Sequence, residues 1–228
     1  MYSTIKRCKW LTLLLLAYTS VWGQENLTVY WQPSLALNYK VKKNYSHNFA
    51  LINRNFTFKE ASVTLDTRHV DIVHFSNLKI RENQSIAFGI LYRFRDAFDD
   101  AGNELRLTQQ FNLVQRPLVV RYGHRFRTEQ RITNTNTIHR FRYRFTLDFP
   151  LRGEALDLGE PYLVGNIENL LSVGRQAKPE YDTRFTLNLG WKITDRAKFQ
   201  IGAEYRLEDY AQNLQHVCFL LTTLNYSL

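Results

Sequence analysis

The chain has 228 residues, 44% apolar and 22% charged, with a formal net charge of +9. That length sets one domain as the starting expectation, and those fractions exclude a disordered or collagen-like chain. Two cysteines, Cys8 and Cys218, cannot build a disulfide framework, and no apolar run reaches the roughly 18 residues that a membrane-spanning helix needs.

The first 23 residues read as a secretory signal peptide. Lys6, Arg7 and Lys9 are its basic region, and Trp10 to Val21 is an apolar region too short to span. Val21-Trp22-Gly23 offers small residues at the cleavage site, so Gln24 is the expected first mature residue. Cys8 precedes the apolar region and is no lipoprotein cysteine. Losing Lys6, Arg7 and Lys9 leaves the mature domain, 24–228, with a net charge of +6 and one thiol.

From there the period is two. In 27–41 the odd positions Leu27, Val29, Trp31, Leu35, Leu37, Tyr39 and Val41 are apolar. Segments 86–94, 104–114 and 118–131 alternate likewise. In 139–149, Phe141, Tyr143, Phe145, Leu147 and Phe149 share one face, and Arg140, Arg142, Arg144 and Asp148 the other. Segments 181–191 and 199–207 repeat the pattern, Glu204 and Arg206 lying on the polar side of the latter. Tight turns are expected at 42–44, 81–84, 115–117 and 194–196, and longer loops at 96–103, 132–137, 171–179 and 208–213. No linker divides the chain.

Alternation fits a soluble lipocalin-like barrel and a membrane barrel equally. Three features place the apolar face outside. About 11 strand-like segments of roughly 10 residues suit tilted membrane strands, and would make a barrel too wide to fill with apolar side chains. The polar face is ionic: Arg121, Arg125, Arg127, Glu129 and Arg131 on one strand, Arg140, Arg142 and Arg144 on the next, with Glu104, Glu168 and Glu204 inward elsewhere. Short turns also alternate with longer loops. The expectation is an all-β transmembrane antiparallel β-barrel of about 12 strands, ten being the alternative, with both ends at one mouth. The extra strand is sought in 56–66, around a break at Glu60-Ala61. The acids are expected to cross the lumen and pair with the arginines.

Gly123 to Arg131, His139 to Arg144, Pro150-Leu151, Gly159 to Tyr162, Glu168 and Gly202 to Arg206, in this order, resemble an uncharacterised family of bacterial outer-membrane barrels, a domain of unknown function of the DUF2490 kind. The resemblance covers essentially all of 24–228. His216, Cys218, Leu220, Thr222, Leu224, Tyr226 and Leu228 alternate to the last residue, similar to the terminal strand signal of such barrels, whose usual last residue is aromatic. The resemblance implies a Gram-negative outer-membrane location, contact with outer-membrane lipid, and insertion by the barrel-assembly machinery through the last strand. It implies no reaction.

Candidate chemistry is sparse. His74-Phe75-Ser76-Asn77 resembles the His-aromatic-Ser-Asn string of outer-membrane lipid A 3-O-deacylases, which would make His74 the base and Ser76 the nucleophile. No acid is identified, since Glu82 lies in the adjacent turn, and polar lumen residues are the plainer reading. Phospholipase-like chemistry would recruit His139 or His216, but no serine motif accompanies them. Omptin-like proteolysis would draw on Asp99, Asp100 and His69 near Asp66 and Asp71, by composition only. His124 lies on the apolar parity as a rim residue. Dispersed histidines and a lone Cys218 imply no metal, and no cofactor or nucleic-acid partner is expected. Oligomeric state is open. The reading is a non-catalytic outer-membrane barrel, structural or a narrow pore, its lumen filled by an Arg/Glu network. A lipid A deacylase-like hydrolase and a soluble ligand-binding barrel are the alternatives.

Overall fold

The computed structural model describes residues 27–59, 62–98, 101–175 and 177–228. The signal segment 1–23, the Glu60-Ala61 break and the candidate pair Asp99 and Asp100 lie outside the described residues. The described chain is all β: β1 (Leu27–Lys42), β2 (Tyr45–Lys59), β3 (Ser62–Val63), β4 (Thr67–Arg81), β5 (Gln84–Phe94), β6 (Glu104–Gln115), β7 (Arg121–Ile132), β8 (Thr137–Pro150), β9 (Pro161–Gly174), β10 (Ala177–Lys192), β11 (Ala197–Glu208) and β12 (Gln215–Ser227).

Among the described residues there are twelve strands, but eleven build the wall. β3 pairs only with the end of β2, through Phe58↔Val63 and Lys59↔Ser62. The other strands follow one another as antiparallel neighbours, and β1 closes the ring between β2 and β12. An odd number of alternating strands leaves the first and last running the same way, so β1 and β12 pair in parallel, from Leu27↔His216 to Asn38↔Ser227. β1 therefore starts at one mouth and β12 ends at the other, instead of both ends sharing a mouth.

The mouth where β12 ends carries the tight connections at 43–44 and 82–83; we call it the turn mouth. The opposite, loop mouth carries the β5–β6, β7–β8 and β11–β12 loops. Two connections differ from expectation. The segment 171–179 is not a long loop, because β9 continues to Gly174 and β10 resumes at Ala177. The longest turn-mouth connection, 151–160, is not among the expected loops. It bends at Gly153 and Gly159, whose φ of 60° and 78° suit glycine.

Strand parity sorts the two faces. Phe88, Phe126, Phe141, Ile167, Phe185, Leu187 and Leu220 stand outward and exposed, while Glu104, Glu129, Glu168, Arg184 and Arg206 are inward and buried. Outward aromatics gather toward both mouths: Tyr39, Tyr122, Trp191 and Tyr226 at the turn mouth, Trp31, Tyr92 and Tyr181 at the loop mouth. The buried apolar cluster is small and lies inside the lumen. Tyr30, Val217 and Phe219 form it, with Phe56 and Leu221 packed against them. The interior is thus no apolar ligand cavity of the lipocalin kind.

Candidate functional site

The charged lumen is set by register. Pairing of β8 with β9 puts Arg144 opposite Glu168, and pairing of β10 with β9 puts Arg184 opposite the same residue. Pairing of β4 with β5 sets Asp71 opposite Arg93, and β5 with β6 sets Arg93 opposite Glu104. Pairing of β7 with β8 does the reverse: Arg125 faces Arg144 and Arg127 faces Arg142. Like charges held directly opposite repel, so these arginines need carboxylates from elsewhere.

Glu168 serves three of these four arginines. Only 1% exposed, it accepts from Arg125 Nη2 at 2.8 Å and Arg144 Nε at 3.0 Å on Oε1, and from Arg142 Nη2 at 2.6 Å on Oε2. Arg142 reaches the other way as well, donating from Nη1 to Glu129 Oε1 at 2.8 Å. Arg127 shares that oxygen at 3.4 Å and donates to Gln110 at 2.9 Å. One guanidinium thus bridges two buried carboxylates on strands either side of its own. Bidentate and shared contacts of this kind are the stronger class of charge-assisted hydrogen bond.

Three satellite groups surround this belt. Glu104 accepts from Arg131 Nε at 2.9 Å on Oε1 and from Arg131 Nη2 at 2.8 Å on Oε2, and also from the Arg106 Nε. Asp71 and Arg93 form a buried fork at 2.7 Å twice. Glu204 accepts from Arg206 at 2.6 Å and from the Thr186 hydroxyl at 2.8 Å. Arg140, though opposite Glu129, donates to Ser172 Oγ at 3.0 Å. The acids therefore pair along their own strand or with nearby strands around the wall and do not reach across the lumen as expected. The physical reason is reach: an arginine two residues along the same strand, on the next strand, or on the one beyond it arrives first.

The belt stands between two lumen cavities. One, of about 790 Å³ at the turn mouth, is lined by Asn48, Phe75, Asn77, Gln110 and Arg127 among others. The other, of about 320 Å³ toward the loop mouth, is lined by Arg106, Arg131, Arg140 and Arg184 among others. Along β6 and β7, Thr108 and Glu129 lie between them.

The enzyme candidates do not assemble. His74 and Ser76 are not lumen residues: both stand on the outer face. His74 Nε2 meets His47 Nδ1 at 3.0 Å and Ser76 Oγ meets Tyr45 OH at 2.6 Å, so each is engaged by β2. Glu82 stays in the β4–β5 turn. His69 is fully buried inside the lumen beside Asp71, with neither ring nitrogen hydrogen-bonded, whereas Asp66 is exposed and bonded to Thr64. The omptin-like grouping at a rim is therefore absent among the described residues. His124 points outward to Tyr143 OH at 2.9 Å, and His216 to Tyr205 OH. His139 is exposed, and Cys218 is free. Among the described residues no three His, Cys, Asp or Glu side chains gather as metal ligands.

Sequence reasoning missed the lumen aromatics. Tyr30 lies on the even parity of β1, away from the apolar face traced there. The unbroken run Val217-Cys218-Phe219-Leu220-Leu221 signals that β12 is apolar on both faces. Three arginines cap these rings: Arg206 lies 3.9 Å and Arg54 4.7 Å from the Phe219 centroid, and Arg68 5.2 Å from that of Tyr30.

A closed β-barrel with an ionic interior and an apolar exterior is the class these features define. A family model described as a protein of unknown function, DUF2490, matches residues 28–216, and the chain belongs to that family. No curated protein and no solved structure matches the chain.

Proposed function

We propose that the chain is a non-catalytic barrel of the Gram-negative outer membrane, exported by its signal peptide and inserted by the barrel-assembly machinery. It crosses the bilayer with its eleven wall strands and acts as a structural element or narrow conduit, the lumen filled by the arginine–glutamate belt. One observation carries this reading: large apolar side chains stand outward on every wall strand while the buried charges all point inward, the lumen's apolar patch being confined to the surroundings of β1 and β12. In water such a surface is a liability; against lipid it is the stable arrangement. The wall strands run 11 to 16 residues, enough to cross at a membrane-barrel tilt. Aromatics near both mouths fit the two interfacial girdles.

The test is labelling of single cysteines in a Cys218→Ser background, with the protein in native membranes. Phe141→Cys and Tyr143→Cys should resist a water-soluble maleimide and react with a lipid-soluble one. Recovery of the wild-type protein in the soluble periplasmic fraction would overturn the proposal. Mass spectrometry of the membrane form should find Gln24 at the N-terminus.

A further inference from the structure

Among the described residues, the cavity toward the loop mouth holds more positive charge than its surroundings neutralise. Nine arginines line its roughly 320 Å³. Among the described residues four carboxylates line it too, and Asp71, Glu104, Glu204 and Glu168 reach its arginines from the wall; Glu168 is shared with Arg125, Arg142 and Arg144, so positive charge stays in excess. Among the described residues three of the arginines hydrogen-bond only to neutral groups. Arg54 donates to Gln32 Oε1 at 2.8 and 3.0 Å, Arg68 to the Tyr30 hydroxyl, and Arg140 to Ser172 Oγ. Arg68 reaches inward because it is the extra residue of a bulge, flanked by Arg54↔His69 and Asn55↔Thr67. Two further guanidiniums, of Arg95 and Arg184, keep a buried Nε with no acceptor.

Unneutralised cations and idle donors around one cavity describe a site for an anion with several oxygens. We propose that this vestibule binds the phosphomonoester group of a small water-borne molecule. Such a group carries close to two negative charges at neutral pH and three strong acceptor oxygens, which match the charge excess and the spread of donors. The cavity is about ten times the volume share of one water, so an organic remainder fits beside the phosphate. Tyr30 and Phe219, stacked with centroids 5.0 Å apart, give that remainder an apolar wall. The inference rests on the interior alone and stands whether or not the barrel spans a membrane.

The experiment follows the unfolding midpoint of the full-length protein in zwitterionic detergent, at constant ionic strength. Phenyl phosphate and inorganic phosphate should raise the midpoint saturably, where chloride and succinate do not. Arg54→Gln and Arg140→Gln should still fold, since neither breaks a hydrogen bond to a carboxylate, yet weaken phosphate binding at least about tenfold. Arg196→Gln, exposed at the turn mouth, should leave binding unchanged. A dispersed phosphatidic acid separates the sources. Stabilisation by the lipid alone would overturn the water-borne ligand. Equal response to succinate, no response beyond chloride, or undiminished binding by both lumen variants would overturn the phosphate site.

Discussion

Glu168 is where a single substitution should be felt most. It neutralises three arginines at hydrogen-bond distance and a fourth, Arg184, at 3.8 Å. Glu168→Gln leaves those cations buried without their counter-charge, and breaking a buried pair in this way costs about 3–5 kcal/mol. Heat-modifiability on a gel should show its unfolding temperature lowered by roughly 6–20 °C. Glu129→Gln should cost less, because Arg142 keeps Glu168. Asp148→Asn is the control. Its partner Arg121, 2.7 Å away, has a side chain 54% exposed, and exposed pairs contribute about 0–1 kcal/mol. Equal behaviour of the three variants would mean that the belt is wet and contributes nothing beyond surface charge.

Strands were the most legible level, since a period of two survives without knowledge of neighbours. Segments 139–149 and 199–207 lie wholly within β8 and β11. Which charge meets which was not legible, because it depends on register. Nothing in Glu129 or Arg140 alone says that they will face each other and still choose other partners. The bulge that turns Arg68 inward is equally invisible to alternation; β3 does fall in 56–66, where the extra strand is expected, but it is two residues long and pairs only with β2, so it adds nothing to the wall. Register also makes a testable statement at Gly202, which sits opposite Asn188 where β10 meets β11. A Cβ there would lie 2.1 Å from Asn188 Oδ1 and 2.6 Å from the Leu187 carbonyl oxygen, which is backbone and cannot swing aside. Gly202→Ala should therefore lower stability by about 1–3 kcal/mol. Gly165→Ala, with open space around its Cβ, should leave the same unfolding curve unmoved.

At the scale of the whole barrel, the inside-out distribution of charge was readable from composition and parity, whereas the closure was not. Whether the first and last strands meet parallel or antiparallel turns on the number of strands, so one miscounted segment reverses it. With eleven in the wall, the start of β1 and the end of β12 open to opposite mouths. Epitope tags placed there should be accessible from opposite sides of a sealed membrane; access to both from one side would contradict the eleven-strand wall. The parallel join also bears on how the barrel is made. Ten strands can be delivered as five hairpins, each with its partner beside it in sequence, but the eleventh must find its place alone. Its contacts join residues far apart: Ser34 Oγ meets Thr223 Oγ1 at 2.8 Å across 189 positions. Bringing such ends together costs on the order of 1.5 kcal/mol more than closing a 30-residue hairpin. The join is then the last part of the wall to form and the first to part, a zip whose two halves are the ends of the domain. A cysteine pair in place of Ser34 and Thr223 would lock only once the ring is shut, and the time at which it locks would date the final step of assembly.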